Sequence, residues 1–321
     1  MRAAWCEEHD LSRVVVRDDL PVPVPGEGQV LVRVFAAALN FPDVLMVQGL
    51  YQVKVEPPFI PGTEFAGEVV SSPLGWASTG TRVMGVVGTG GFGEYVLARL
   101  DELRPLPDGL DYEHGAAFQV TYTTAYHALV TIGAAEAGQS VAVTGAAGGV
   151  GLATVDVAHR LGLRVIAAAS SPERLALCRE YGADETVDYS HQPLKERLKQ
   201  IVPDGVDIVI DPVGDAVAEP ALRTLRWGGR FVTVGYAGGA IPRIPLNLVL
   251  LKGAIVRGFE MRGLAAHAPE AIRRCDEILG RLVEEGLRPH LGARFPLDDV
   301  SEALRHVADR KALGKVVVQL G

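Results

Sequence analysis

From residue 140 onward the chain reads as short apolar runs separated by segments of helical period. Ser140-Val-Ala-Val143 leads into a glycine-rich turn ending at Gly151, and Val150, Ala153, Val157 and Leu161 then recur at helical spacing, with Gly162 placed to cap the end. Arg164-Val-Ile-Ala-Ala-Ala-Ser170 is apolar through its middle, as a parallel strand covered on both faces should be. Ser171 and Pro172 start a second helix, with serine at the cap and proline at the first helical position, and Gly182 ends it. Glu185–Tyr189 predicts a third strand and Leu194–Val202 a charged helix. Val206–Asp211 and Arg230–Gly235 are two more strands, with a helix over 216–227 between them. A helix over Pro245–Gly253 and a strand over Ala254–Phe259 complete the series. Six strands alternating with helices predict an α/β fold with a doubly wound parallel sheet.

The first 120 residues carry a different rhythm. Valines alternate in Gly28–Phe35, Gly67–Val70 and Thr81–Val87, and glycine and proline interrupt at short intervals, which predicts a compact β-rich domain. The end of the chain predicts a helix over Pro269–Glu285 and a strand over Gly314–Leu320. That strand has no hairpin partner nearby in sequence, so it is expected to return to the first domain. A nucleotide domain inserted into a substrate domain, with a cleft between them, follows from this order.

The glycine-rich turn carries the candidate chemistry. It is a variant of G-x-G-x-x-G with Ala146, Gly148 and Gly151 at the three positions. Free N–H groups of Gly148, Gly149 and Val150 at a helix N-terminus, reinforced by the macrodipole, suit a pyrophosphate. The plain alternative is an ordinary tight strand–helix turn.

Composition narrows the class. The 321 residues allow two cores, and with 48% hydrophobic and 22% charged residues the chain reads as a water-soluble globular protein. A net charge of −8 argues against a nucleic-acid partner. No apolar run reaches the length of a membrane span and the polar start does not read as a signal peptide, so a cytoplasmic location without membrane contact is expected. Cys6, Cys178 and Cys275 form no metal or disulfide spacing. A hydrolase is not indicated, since Gly-x-Ser-x-Gly is absent.

Five segments together, Leu39–Leu45, Gly49–Tyr51, Pro61–Gly67, Ala146–Gly151 and Gly314–Val318, resemble medium-chain dehydrogenases/reductases over the whole chain. Within them the chain is most similar to the zinc-free quinone oxidoreductases that include zeta-crystallin. The resemblance implies a six-stranded Rossmann sheet, residues 123–262, inserted into a GroES-like catalytic domain made of residues 1–122 and 263–321. Two departures are visible. The stretch Ser71–Thr79 is shorter than the usual loop, and Leu45 stands where a tyrosine is often found.

Zinc members of the superfamily hold the metal near positions 38–40 and in a Gly-His-Glu segment. Here no cysteine lies between Cys6 and Cys178, Thr63 replaces the histidine, and Glu64 alone cannot build a tetrahedral site, so no metal is expected. His114 and His127 read as structural or surface residues. The dinucleotide choice rests on the tip of the second predicted strand. NAD-specific sites place a carboxylate there, whereas this chain has Ala168-Ala-Ser170-Ser171, with Arg174 one turn into the next helix. NADPH is therefore expected, with Ser170 and Arg174 at the 2′-phosphate and Glu173 facing solvent. The alternative for Arg174 is a solvated surface arginine. The resemblance adds Tyr189 to the adenosine pocket and Thr124 near the nicotinamide. Gly235, Tyr236 and Phe259, which follow the fifth and sixth strands, are expected at the carboxamide.

At the reacting end, Asn40 offers an amide donor and Tyr51 a phenol that is protonated at neutral pH. Both are weak acids, suited to an acceptor whose new negative charge is delocalised. The expected reaction is NADPH-dependent reduction of a small-molecule quinone or related conjugated carbonyl. An enoyl-thioester or alkenal reductase and a non-catalytic NADPH-binding protein are the alternatives. A thioester of coenzyme A would draw on Lys54, Arg82 and Arg99. Asp43 reads as a loop tie rather than a catalytic group. The apolar last strand of the cofactor sheet predicts a homodimer, with a tetramer as the alternative.

Overall fold

The computed structural model describes residues 1–72 and 77–320, so part of the short Ser71–Thr79 stretch lies outside the described residues. The chain forms two compact units, one of Met1–Val120 with Leu282–Gly321, the other of Thr121–Arg281.

The strands of the first unit that precede the insertion are β1 (Ala3–Cys6), β2 (Val14–Arg17), β3 (Gln29–Leu39), β4 (Glu64–Ser71), β5 (Arg82–Val86), β6 (Tyr95–Arg99) and β7 (Leu103–Pro105). The second unit contributes β8 (Ser140–Val143), β9 (Arg164–Ala169), β10 (Glu185–Asp188), β11 (Val206–Asp211), β12 (Leu225–Thr233) and β13 (Ile255–Gly258). The chain then returns to the first unit for β14 (Leu291–Pro296) and β15 (Lys315–Gln319).

In the second unit the six strands lie in the order β10-β9-β8-β11-β12-β13, all parallel. The order reverses between β8 and β11, which is the crevice position for a dinucleotide in doubly wound sheets. β8 is buried at every residue and β9 at every residue after Arg164, because helices cover both faces. The helix Gly149–Arg160 follows β8, and Ser171 caps the helix Pro172–Glu180 by accepting the Arg174 N–H, with Pro172 at the first helical position.

One predicted element differs. The helix expected over 216–227 stops at Leu222, and β12 already begins at Leu225. Leu225 is buried and pairs with Val206, after which the ladder shifts register before Arg230 meets Ile208. The bulged stretch leaves Arg226 and Trp227 both exposed, so the inside–outside alternation that marks a strand is broken there.

In the first unit β14-β15-β3-β4-β5-β7 make a sheet, with β6 also paired to β3, while β1 and β2 form a separate pair. β15 lies antiparallel to β3 and places Val316, Val317 and Val318 in the core, so the terminal strand does return to the first unit. Each such buried valine contributes about 1.5–3 kcal/mol. Two pairings fix the positions that matter next: Ala38 on β3 faces Glu64 on β4, and Leu39 faces Val316 on β15. The end of β3 and the starts of β4 and β15 therefore meet at one corner of the sheet. Among the described residues no helix is long and apolar enough to cross a membrane.

Candidate active site

The glycine turn connects β8 to the helix Gly149–Arg160. Gly145 takes a positive φ of 54°, and Gly151 passes so close to it that an added Cβ would sit 2.2 Å from the Gly145 carbonyl oxygen. The third glycine of the motif is thus required for packing helix against turn. The helix begins at an extended Gly148, and no side chain caps it. Its first N–H groups, including those of Gly149 and Val150, have no partner within the helix and stand ready for an anion. The Ala146 N–H bonds the Ala168 carbonyl at 3.0 Å, which anchors the turn to β9.

Beyond β9, Ser170 is exposed and Arg174 half-buried in the first turn of the next helix, while Glu173 is exposed. The Tyr189 N–H bonds Ala169, and the Ser190 hydroxyl bonds the Ser170 carbonyl. Ser170 and Tyr189 are in this way drawn to one edge. On the other side of β8, Gly235 and Tyr236 follow β12, and the Tyr236 ring covers Gly214, where an added Cβ would meet it at 2.8 Å. Phe259 follows β13 and is half-buried. Thr124 is half-buried on the helix Gln119–Tyr126.

Sequence reasoning missed the residue that joins these loops. Asp211, at the end of β11, is fully buried and accepts hydrogen bonds from the Thr144 hydroxyl and from the N–H groups of Val213 and Gly214. One carboxylate so ties the glycine turn to the loop after β11. Burial raises its pKa above the usual carboxylate range, against the opposing pull of those donors. A carboxylate directly after the apolar run Ile208-Val-Ile210 is the signal that would have marked it.

The first unit holds a second polar cluster at the corner where β3, β4 and β15 meet. Asn40, 7% exposed, caps the helix Phe41–Val47, and its N–H donates to Asp43 Oδ2 at 2.7 Å. Its Nδ2 donates to Glu64 Oε2 at 3.0 Å. Lys315 Nζ donates to Asn40 Oδ1 at 2.6 Å, to Glu64 Oε2 at 2.9 Å and to the Leu39 carbonyl at 3.2 Å. Glu64 Oε1 accepts the Val120 N–H at 2.7 Å. Every polar atom of the lysine–glutamate pair is satisfied, as burial at this depth requires. Burial also pushes the Asp43 carboxyl up to about 7, opposed by the Asn40 N–H, Thr63 and Lys315. Tyr51 sits half-exposed on the turn after the helix, its N–H bonded to the Leu45 carbonyl at 3.1 Å.

The donor set does not fit zinc. Glu64 is already matched by the Lys315 ammonium, and Cys6, Cys178 and Cys275 are dispersed and buried. Among the described residues no group of three or more His, Cys, Asp or Glu converges on a metal position. His114 bonds Asp111, and His127 is buried with Nδ1 on Thr131.

Two family models match, "Alcohol dehydrogenase GroES-like domain" over residues 26–108 and "Zinc-binding dehydrogenase" over residues 149–277. Quinone oxidoreductase-like protein 2 of Bos taurus is 38% identical, over 99% of this chain and 92% of its own. The chain belongs to the quinone oxidoreductase family of medium-chain dehydrogenases/reductases. Quinone oxidoreductase of Homo sapiens, another relative, is 32% identical over 95% of this chain and 93% of its own. Among solved structures, the quinone oxidoreductase of Thermus thermophilus, which was also solved with NADPH, superposes with a TM-score of 0.87 at 38% identity, covering 100% of both chains. The Escherichia coli quinone oxidoreductase complexed with NADPH gives 0.91 at 25% identity, again over 100% of both chains. Membership makes the protein an oxidoreductase with a GroES-like domain and a Rossmann sheet.

Proposed function

We propose that the chain reduces quinones or related conjugated carbonyls with NADPH, by hydride transfer and without a metal. The observation that carries this reading is the buried Lys315–Glu64–Asn40 cluster, which matches Glu64 with an ammonium and so offers an acceptor oxygen an amide rather than a Lewis acid. Simple alcohol oxidation needs a metal or a strong base to hold an alkoxide. A quinone spreads the incoming charge over its ring, so weak donors suffice.

NADPH supplies the hydride. The N–H groups of Gly149 and Val150 hold its pyrophosphate, with Ala146 and Gly148, whose own N–H donates to the Gly145 carbonyl, shaping the turn. Ser170, Arg174 and Tyr189 take the 2′-phosphate end, where no carboxylate stands at the tip of β9 to repel it. Thr124, Gly235, Tyr236 and Phe259 orient the nicotinamide end. Asn40 and Tyr51 donate hydrogen bonds to the acceptor's oxygen as it gains charge. A coenzyme A thioester fits less well, because Arg82 is committed to the Leu110 carbonyl and the Tyr112 ring, and Arg99 to Asp101.

The protein works as a homodimer in this reading. β13 is an edge strand with Ile255 and Val256 exposed, and Leu246 and Leu250 are exposed on the helix before it, an apolar margin that a second copy would cover. Light scattering at micromolar concentration should give a dimer, and a monomer would contradict the assignment. The function itself is tested by an NADPH-oxidation screen across quinones, enones and enoyl thioesters. Turnover confined to thioesters would replace the quinone reading.

A further inference from the structure

Asn40 has two hydrogens on Nδ2 and none on Oδ1, and its neighbours read that difference. The Lys315 ammonium has donors only, and the Glu64 carboxylate has acceptors only. With Nζ 2.6 Å from Oδ1 and Oε2 3.0 Å from Nδ2, rotating the amide by half a turn would set N–H against ammonium and oxygen against carboxylate. Lys315 and Glu64 are themselves 2.9 Å apart, with side-chain exposures of 4% and 0%, so neither can swing away to solvent. The amide has one stable orientation.

We propose that Lys315 is a positioning residue: together with Glu64 it locks the Asn40 amide so that its second N–H is available as a donor to the acceptor's oxygen. The proposal rests on the reading of Asn40 as that donor, and it assigns to the start of β15 a part in the reaction as well as in the fold. Without the lock nothing directs the amide, and its second N–H is no longer held toward an acceptor that is gaining negative charge. Glu64 takes one Nδ2 hydrogen and leaves the other for the substrate, so the division of donors is built into the pair. The effect acts on charge that develops during the reaction and should appear in kcat while cofactor affinity stays unchanged.

The chain contains two asparagines, Asn40 and Asn247, and Asn247 is exposed. A sample labelled with ¹⁵N at the asparagine side chains therefore gives two NH₂ pairs, one of them an internal reference. In the wild-type protein the Asn40 pair should exchange with solvent far more slowly than the Asn247 pair. The double variant Lys315→Met, Glu64→Gln removes both buried charges together, so neither is left unpaired, and it should lose at least about 10-fold of that protection. Unchanged protection would overturn the proposal. In turnover, the double variant should lose about 10-fold in kcat, the scale of one donor to developing charge, with NADPH affinity within about twofold. Adding Asn40→Ala to it should cost less than about twofold more, because both changes remove the same donor. Losses that multiply instead would show that Lys315 does not act through Asn40. Failure of the wild-type protein to reduce any quinone would count against the proposed function alone, since the exchange measurement does not depend on turnover.

Discussion

Lys315 and Glu64 form a buried ion pair, 2.9 Å between Nζ and Oε2, that joins the start of the last strand to the start of β4. Removing one member leaves the other charged and dry. Lys315→Met alone should destabilise the protein by about 3–5 kcal/mol, whereas Lys315→Met with Glu64→Gln should cost far less, since buried pairs are commonly replaceable as pairs. Urea denaturation of the two variants checks this. A single variant more stable than the double would mean that Glu64 finds another partner when Lys315 is gone.

The 2′-phosphate reading turns on Arg174. A charge-assisted contact contributes about 1.5–3 kcal/mol, roughly 10–100-fold in affinity. Arg174→Ala should weaken NADPH binding by that factor and leave NADH binding nearly unchanged in fluorescence titrations. Equal losses for both cofactors would make Arg174 a scaffold residue.

Asp43 makes a pH prediction. Its carboxyl titrates at about 7 in the folded chain, against 3.8 when free. Between those values the folded protein keeps a proton that the unfolded chain releases. Stability should therefore fall as pH rises through that window and level off above it. Asp43→Asn retains an acceptor for the Asn40 N–H and removes the titration. The stability difference between variant and wild type should grow in the variant's favour from about pH 4 to about pH 7. A difference that is flat with pH would place the Asp43 titration elsewhere.

Much of the cofactor unit was legible because its strands are continuous apolar runs and its helices keep a 3.6-residue period. The exception, the stretch ending at Trp227, failed where a bulge broke the alternation that marks a strand. The corner cluster of the first unit was only half legible. Asn40 and Glu64 stood out as polar residues where a metal site was absent, but Lys315 lay inside the predicted strand Gly314–Leu320 with nothing near it in sequence to mark it. Its partner Glu64 lies 251 positions earlier, and only the antiparallel register of β15, β3 and β4 brings the two together. Asp211 was missed for the same reason, since its partner Thr144 lies 67 positions earlier, at the end of another strand. Local pattern reports periodicity well and pairings across a sheet poorly.

The proposed reaction is hydride delivery from NADPH to a conjugated acceptor without metal assistance. Its most direct test is steady-state NADPH oxidation with an ortho-quinone, run on protein treated with a strong chelator and on the Asn40→Ala variant. Full quinone-dependent turnover is expected after chelation, with negligible oxidation of ethanol and a kcat about 10-fold lower for Asn40→Ala with NADPH affinity intact. Activity that disappears with chelation and returns with added zinc, or robust alcohol oxidation, would contradict it.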